Sequence, residues 1–212
     1  MARTPLSTRR LLGLDRSGPP PARTGRGQPL NPWTIPNAIG FARLALLPVF
    51  LVVALSSGDG RSDTAAAIFC VIAGTDYLDG MVARVTGQYS RLGVLLDPLV
   101  DRLLVTSGVV VAWTFDLLPR WALALLVARE VAMLVLSEIA LARGRDVEVR
   151  MLGRWAVWPT MFGLFLAMAS TTWIAAAILF VGLVMTYATT ALYLLDAFRP
   201  PSKRGRRPST SP

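Results

Sequence analysis

Long apolar runs separated by short polar segments fill the middle of this 212-residue chain. Each run holds roughly 20 residues, the length an α-helix needs to cross the ~30 Å hydrocarbon core of a bilayer. A soluble domain would alternate apolar and polar positions, and an outer-membrane barrel would alternate over strands of about 10 residues. The pattern therefore predicts an all-α integral membrane protein with six transmembrane helices. The predicted spans are Ile35–Leu55, Thr64–Val82, Leu92–Phe115, Leu118–Leu141, Leu152–Ala169 and Thr172–Leu195.

Charge is concentrated at the two ends of the chain. Residues 1–30 and 199–212 are basic and rich in Pro or Gly, so we predict disordered tails that flank a six-helix domain at residues 31–198. Half of the 22 basic residues lie in these tails. The net charge of +9 therefore indicates contact with anionic membrane lipid and does not indicate binding of nucleic acid.

The polar segments between the predicted spans also differ in charge. The segments on the same side as the tails carry the basic residues Arg84, Arg91, Arg143, Arg145 and Arg150, whereas the opposite segments have no such excess. Since basic segments mark the cytoplasmic side, we predict that both termini are cytoplasmic. The use of 21 Arg against one Lys indicates GC-rich coding DNA, and hence a bacterium. Together with the predicted spans, this predicts a location in the bacterial inner membrane.

Four aspartates lie at the cytoplasmic ends of the second and third spans. Asp76 and Asp79 are three residues apart, and Asp97 and Asp101 are four apart, so each pair shares one helix face. An uncompensated carboxylate inside a membrane costs at least ~2.5–3.5 kcal/mol, which predicts compensating cations. With no His and one Cys, Cys70, the all-oxygen ligand set favours Mg²⁺ or Mn²⁺. The alternative is a set of structural ion pairs with Arg84, Arg91 and Arg102.

The order D-x2-D-G-x2-A-R-x8-G-x3-D-x3-D, from Asp76 to Asp101, resembles the signature of the CDP-alcohol phosphatidyltransferase family. The resemblance implies transfer of a phosphatidyl group from CDP-diacylglycerol to an alcohol, with release of CMP, by an enzyme that forms homodimers. It implies that Asp76, Asp79, Asp97 and Asp101 hold two divalent ions, Mg²⁺ or Mn²⁺, and that Asp101 is also the general base. The CDP-binding residues that it implies are Asp79, Gly80, Ala83, Arg84 and Gly93.

The acceptor alcohol is predicted from segments outside this motif. The first span is similar to that of phosphatidylglycerophosphate synthases and related cardiolipin synthases, and Ala128-Arg129-Glu130 in the fourth span is similar to that of members that use glycerol 3-phosphate. We therefore favour glycerol 3-phosphate as acceptor. The candidate acceptor-binding residues are Asn37, Arg43, Arg129, Arg150 and Arg154. Members that use glycerol 3-phosphate open the fifth helix with Gly, two lysines and Thr, whereas Gly153-Arg154 keeps one cation. That loss favours the alternative, a cardiolipin synthase with phosphatidylglycerol as acceptor.

Structural roles compete with these assignments. Asn37 and Arg43 would then be a helix N-cap and an interfacial anchor, and Arg129 would pair with Glu130. A cation transporter that uses the carboxylates as an ion site is an alternative from another class of protein. Transporters usually carry inverted repeats and broken helices near the bilayer midplane, and the chain has no such repeat. Gly163 and Gly182 are candidates for an additional helix–helix interface, such as that of a homodimer.

Overall fold

The computed structural model describes the backbone of residues 30–142 and 151–197, and the side chains of residues 30–136 and 157–192. Its described part contains six helices, which confirms the predicted all-α fold. They are α1 (Ile35–Leu55), α2 (Asp63–Thr86), α3 (Arg91–Thr114), α4 (Arg120–Ala142), α5 (Met151–Ala169) and α6 (Trp173–Ala197). The predicted tails lie outside the described residues, apart from residue 30.

Side-chain caps explain where the first three helices begin. The hydroxyls of Thr34, Ser62 and Ser90 each accept a hydrogen bond from the backbone N–H three residues later. This N-cap contact satisfies one of the donors that a helix start leaves without a partner. Helix α2 ends at Thr86, and its C-cap residue Gly87 has a left-handed φ of +66°. The helix therefore runs four residues beyond Val82, where the apolar run ends.

The surface of the bundle has the character of a membrane protein. Helices α1 and α2, together with Trp173–Leu192 of α6, are long and apolar enough to cross a bilayer. Large apolar side chains such as Val52 and Phe180 point outward, as lipid-facing side chains do. Exposed tryptophans lie near several helix ends, as is typical of the membrane–water interface. They are Trp33, Trp113, Trp121 and Trp173.

The apolar core lies mainly in the half of the bundle opposite the aspartates. Phe50 of α1 and Phe69 of α2 are buried there with their ring centroids 5.5 Å apart. Leu164 of α5 and Leu179 of α6 extend the same core. Helix α1 packs against both α2 and α3, and these two helices also contact α5. The aspartate-bearing ends of α2 and α3 are thus held by packing further along the same helices.

Helices α5 and α6 approach each other closely through two glycines. A Cβ atom added to Gly163 would lie 2.8 Å from the backbone nitrogen of Leu179, and one added to Gly182 would lie 2.7 Å from that of Thr160. Both glycines therefore serve a contact within the chain. They therefore do not support the predicted additional interface, because the contact between α5 and α6 already covers them.

Candidate active site

One buried arginine joins the two aspartate-bearing helices to the first helix. The Nη1 atom of Arg43 donates to Oδ1 of Asp76 at 2.9 Å and to Oδ2 of Asp79 at 3.2 Å. Its Nη2 atom donates to Oδ1 of Asp101 at 3.0 Å. Its Nε atom donates to the backbone carbonyl of Ile72 at 3.0 Å. Arg43 is 1% exposed, so these groups from α1, α2 and α3 meet inside the protein.

The charges at this point do not balance. When ionised, the three aspartates that contact Arg43 carry three negative charges against its single positive charge. Two of them remain accessible, since the side chains of Asp76 and Asp101 are 38% and 36% exposed, whereas that of Asp79 is 4% exposed. An excess of negative charge in a site of reduced polarity attracts cations strongly. The arrangement is therefore suited to binding cations.

A narrow cleft adjoins this cluster. It lies between the start of α1, the end of α2 and the start of α3, and its lining includes Gly40, Gly80 and Val94 from these three helices. Asp79 lines the cleft as well as contacting Arg43, and Asp97 lines it from α3. Further lining residues are Pro36, Asn37, Ala83, Gln88, Tyr89, Ser90, Gly93 and Leu96. The cleft thus brings carboxylates, small residues and polar side chains together.

Asn37 builds one wall of the cleft. Its Nδ2 atom donates to the backbone carbonyls of Asn31 at 3.0 Å and Pro32 at 3.1 Å. Its Oδ1 atom accepts from the hydroxyl of Ser90 at 2.8 Å, and that hydroxyl accepts from the backbone N–H of Gly93 at 2.9 Å. A Cβ atom at Gly93 would lie 2.9 Å from Oδ1 of Asn37. A side chain at position 93 would therefore displace the Asn37 amide and crowd the Ser90 hydroxyl.

The match to a family model identifies the chain. A model described as CDP-alcohol phosphatidyltransferase matches residues 33–191, which include the four aspartates and most of the chain. This chain belongs to the CDP-alcohol phosphatidyltransferase family. Membership confirms the resemblance carried by the motif from Asp76 to Asp101 and makes the chain a transferase.

Relatives of the family carry two different enzyme names. A CDP-diacylglycerol–glycerol-3-phosphate 3-phosphatidyltransferase of Bacillus subtilis is 33% identical over 138 residues, which are 59% of this chain and 72% of that protein. A CMP-forming cardiolipin synthase of Streptomyces coelicolor is 44% identical over 91 residues, 42% of each chain. An Escherichia coli enzyme with the same name as the Bacillus protein is 38% identical over 79 residues, 37% of this chain and 43% of that one. The matches thus span less than half of two of these relatives. The two names correspond to the two enzymes predicted from the sequence.

The predicted CDP-binding residues of the family signature lie around the cleft. Asp79, Gly80, Ala83 and Gly93 line it. Arg84 lies beside it, because its Nη1 atom would be 3.4 Å from a Cβ atom placed on Gly80. A glycine at position 80 lets a ligand or the Arg84 guanidinium approach the backbone. Four of the five predicted CDP-binding residues therefore line the cleft, and the fifth lies beside it.

The predicted metal ligands are brought together in part. Arg43 links Asp76, Asp79 and Asp101, and Asp97 shares the cleft with Asp79. Within the described part of the chain, no three acidic, His or Cys side chains are arranged to hold a metal ion as they stand. The donor set still fits Mg²⁺ or Mn²⁺ in its chemistry, since it consists of carboxylate oxygens.

The predicted acceptor-binding residues are dispersed. Asn37 and Arg43 lie at the cleft and at the carboxylates. Arg129 is buried in α4, where its Nη1 atom donates to Oε1 of Glu130 and its Nε atom has no partner among the described residues. Arg154 lies in α5, but its side chain is outside the described residues, as is the whole of Arg150.

Sequence reasoning missed several residues that shape the site. Ser90 caps α3 and holds Asn37, and Gln88 accepts a hydrogen bond from the backbone N–H of Ile35 at 3.0 Å. The N-cap of α1 is Thr34, whose hydroxyl accepts from the backbone N–H of Asn37 at 3.4 Å. A Ser or Thr just before an apolar run is an N-cap signal, so Thr34 and Ser90 were accessible from the sequence. The contact of Gln88 across 53 positions had no such signal.

Proposed function

We propose that this protein transfers a phosphatidyl group from CDP-diacylglycerol to an alcohol and releases CMP. Glycerol 3-phosphate is the preferred acceptor, and phosphatidylglycerol is the alternative. The observation that carries the proposal is the meeting of Asp76, Asp79 and Asp101 at Arg43, directly beside a cleft lined by Gly80 and other signature residues. Family membership supports the same reaction class.

Divalent cations are part of the proposal because of the charge at the site. Asp76, Asp79, Asp97 and Asp101 outnumber Arg43 by four charges to one, and a diphosphate adds further negative charge. Substrate and site would repel each other unless cations lay between them. We propose that these four carboxylates hold Mg²⁺ or Mn²⁺, two ions in all. When bound, such ions would supply positive charge that offsets the charge of a diphosphate and the charge that develops on the departing oxygen.

The other signature residues are proposed to bind the CDP group and its phosphates. Gly80, Ala83 and Gly93 leave room for the CDP group in the cleft, and Arg84 lies where it can donate hydrogen bonds to phosphate. The acceptor hydroxyl oxygen forms a bond to the phosphorus of the phosphatidyl group. The bond from that phosphorus to the phosphate oxygen of CMP breaks, so that CMP leaves with the bonding electrons.

Asp101 is the proposed acceptor of the hydroxyl proton. Arg43 engages its Oδ1 atom, and the side chain is 36% exposed, so an alcohol can reach it. The chain contains no His, which leaves a carboxylate as the base within reach. Asp101 would therefore accept the proton while Arg43 holds its side chain in place.

The choice of acceptor rests on the named relatives and on the cations of the fifth helix. The Bacillus relative is named for glycerol 3-phosphate and is matched over a greater length than the Streptomyces cardiolipin synthase. We propose that Arg129, Arg150 and Arg154 bind the acceptor phosphate. The single cation at Gly153-Arg154 is the observation that favours phosphatidylglycerol, whose phosphate carries less charge than a terminal one.

The proposed setting is the inner membrane of a bacterium. Six membrane spans with both termini cytoplasmic would place the carboxylates and the cleft near the cytoplasmic face. A nucleotide head group can then bind from water while the acyl chains stay in lipid. A homodimer remains the prediction from the family resemblance.

The test is CMP release by purified protein supplied with CDP-diacylglycerol and Mn²⁺. Glycerol 3-phosphate, phosphatidylglycerol and inositol phosphate are compared as acceptors at equal concentration. We expect glycerol 3-phosphate to drive the fastest release. Faster release with phosphatidylglycerol would make the protein a cardiolipin synthase, and release with none of the three would contradict the proposal.

A further inference from the structure

We propose that Arg43 is a positioning residue for the metal ligands: it fixes one oxygen of each of three aspartates and leaves the other oxygen for a divalent cation. The inference rests on the proposed function, because it concerns the metal site of that reaction. It changes the role predicted from sequence, in which Arg43 bound the acceptor. Three features of the contact geometry support it.

The first feature is the division of carboxylate oxygens. Arg43 engages Oδ1 of Asp76, Oδ2 of Asp79 and Oδ1 of Asp101, one oxygen from each side chain. An ionised carboxylate has two oxygens, each able to accept more than one contact. The pairing with Arg43 therefore leaves each aspartate a second oxygen with which to bind a cation.

The second feature is the anchoring of the guanidinium. Its Nε atom is held by the backbone carbonyl of Ile72, one helical turn before Asp76 on α2. This bond does not involve a carboxylate, so cation binding has no need to break it. At 1% exposure, Arg43 also has little open space into which it could withdraw.

The third feature is the shape of the donor. A guanidinium is planar and presents its N–H groups in a rigid fork, whereas a lysine ammonium is a single charged point on a flexible stem. The fork holds Asp76 and Asp79 of α2 through one nitrogen and Asp101 of α3 through the other, which fixes the three carboxylates relative to one another. Partners of this kind, which orient the groups that bind a metal, typically change metal affinity by about 10- to 100-fold when they are mutated.

The experiment measures Mn²⁺ binding directly, without substrate. Purified protein in lipid nanodiscs is titrated with Mn²⁺, and free Mn²⁺ is followed by electron paramagnetic resonance. The variants are Arg43→Lys, which keeps the positive charge, and Arg43→Gln, which removes it. Arg120→Gln is the matched control, because Arg120 also pairs with an aspartate, Asp116, at the opposite end of α3.

We expect Mn²⁺ affinity to fall about 10- to 100-fold in both Arg43 variants and to stay unchanged in Arg120→Gln. Unfolding temperature is measured in parallel without Mn²⁺. A purely structural role would lower that temperature and leave the Mn²⁺ affinity of the folded protein intact, which would overturn the inference. Should Arg43→Gln fail to fold, Arg43→Lys alone carries the comparison.

Two further outcomes separate the inference from the proposed function. If the unchanged protein binds Mn²⁺ and an Arg43 variant binds it more tightly, Arg43 competes with the cation; the inference then fails and the metal site stands. If the unchanged protein binds no Mn²⁺, the proposed metal site fails first and the inference fails with it.

Discussion

The two halves of the helix bundle are held together in different ways. In the half that carries the aspartates, Arg43 joins α1, α2 and α3 through four directional hydrogen bonds. In the opposite half, the contacts are apolar and continuous, as between Phe50 and Phe69. The first half depends on a few specific atoms, whereas the second distributes its stability over many small contacts.

This difference links the aspartate half to the proposed chemistry and the apolar half to the stability of the fold. A charged cluster with an excess of carboxylates does not stabilise the fold by itself, since like charges repel. It is retained at a cost that the apolar half must offset. Substitutions in the aspartate half should therefore change chemistry more than folding, and substitutions in the apolar half should do the reverse.

The largest expected effect comes from removing divalent cations, which concerns the aspartate half alone. Dialysis against a chelator should lower CMP release at least about 100-fold, because metals contribute several kcal/mol of transition-state stabilisation. The apolar half should keep the chain folded, and added Mn²⁺ should restore the rate. CMP release and helix content are measured before and after dialysis. Full activity in the chelated protein would contradict a metal-dependent site.

A smaller effect is expected from overpacking the apolar half. Gly163→Ala places a Cβ atom 2.8 Å from the backbone nitrogen of Leu179, so α5 and α6 must separate. The free energy of unfolding in detergent should fall by about 1–3 kcal/mol. Gly74→Ala in α2 is the control, because no atom lies within 4 Å of the added Cβ. Equal stability of the two variants would show that the contact between α5 and α6 is looser than described.

The smallest effect is expected from removing one N-cap hydroxyl in each half of the bundle. Ser90→Ala and Ser62→Ala each remove an N-cap hydroxyl, so each should cost about 1 kcal/mol of unfolding free energy. Ser90 also holds Asn37 at the cleft, whereas Ser62 caps α2 at its other end. Only Ser90→Ala should raise the KM for CDP-diacylglycerol. A similar KM in both variants would show that the contact between Ser90 and Asn37 does not affect substrate binding.

Much of the fold could be predicted because span length and hydropathy follow directly from the bilayer. Ile35–Leu55 was predicted with both ends of α1 correct. The end of α2 was placed four residues early, since the apolar run stops at Val82 while Gly87 ends the helix. Hydropathy marks where a chain leaves the lipid, and a helix continues until a residue such as Gly87 stops it.

The site was harder to predict than the helices. The spacing of Asp76, Asp79, Asp97 and Asp101 predicts a shared carboxylate site, because each pair occupies one helix face. The position of Arg43 among them depends on how α1 packs against α2 and α3. That packing is invisible in sequence, since a lipid-facing Leu and a buried Leu look alike in a membrane helix.

The most direct test of the account compares three Asp→Asn variants in the same CMP-release assay. Asp97→Asn and Asp101→Asn remove charge from the proposed centre. Asp116→Asn removes it from the exposed pair with Arg120, and Asn tolerates the positive φ of 51° at that position. We predict a loss of about 10²- to 10⁴-fold for Asp101→Asn and a comparable loss for Asp97→Asn, with Asp116→Asn near the unchanged rate. Retention of most activity by folded Asp97→Asn and Asp101→Asn would contradict the assignment of this cluster as the site of transfer.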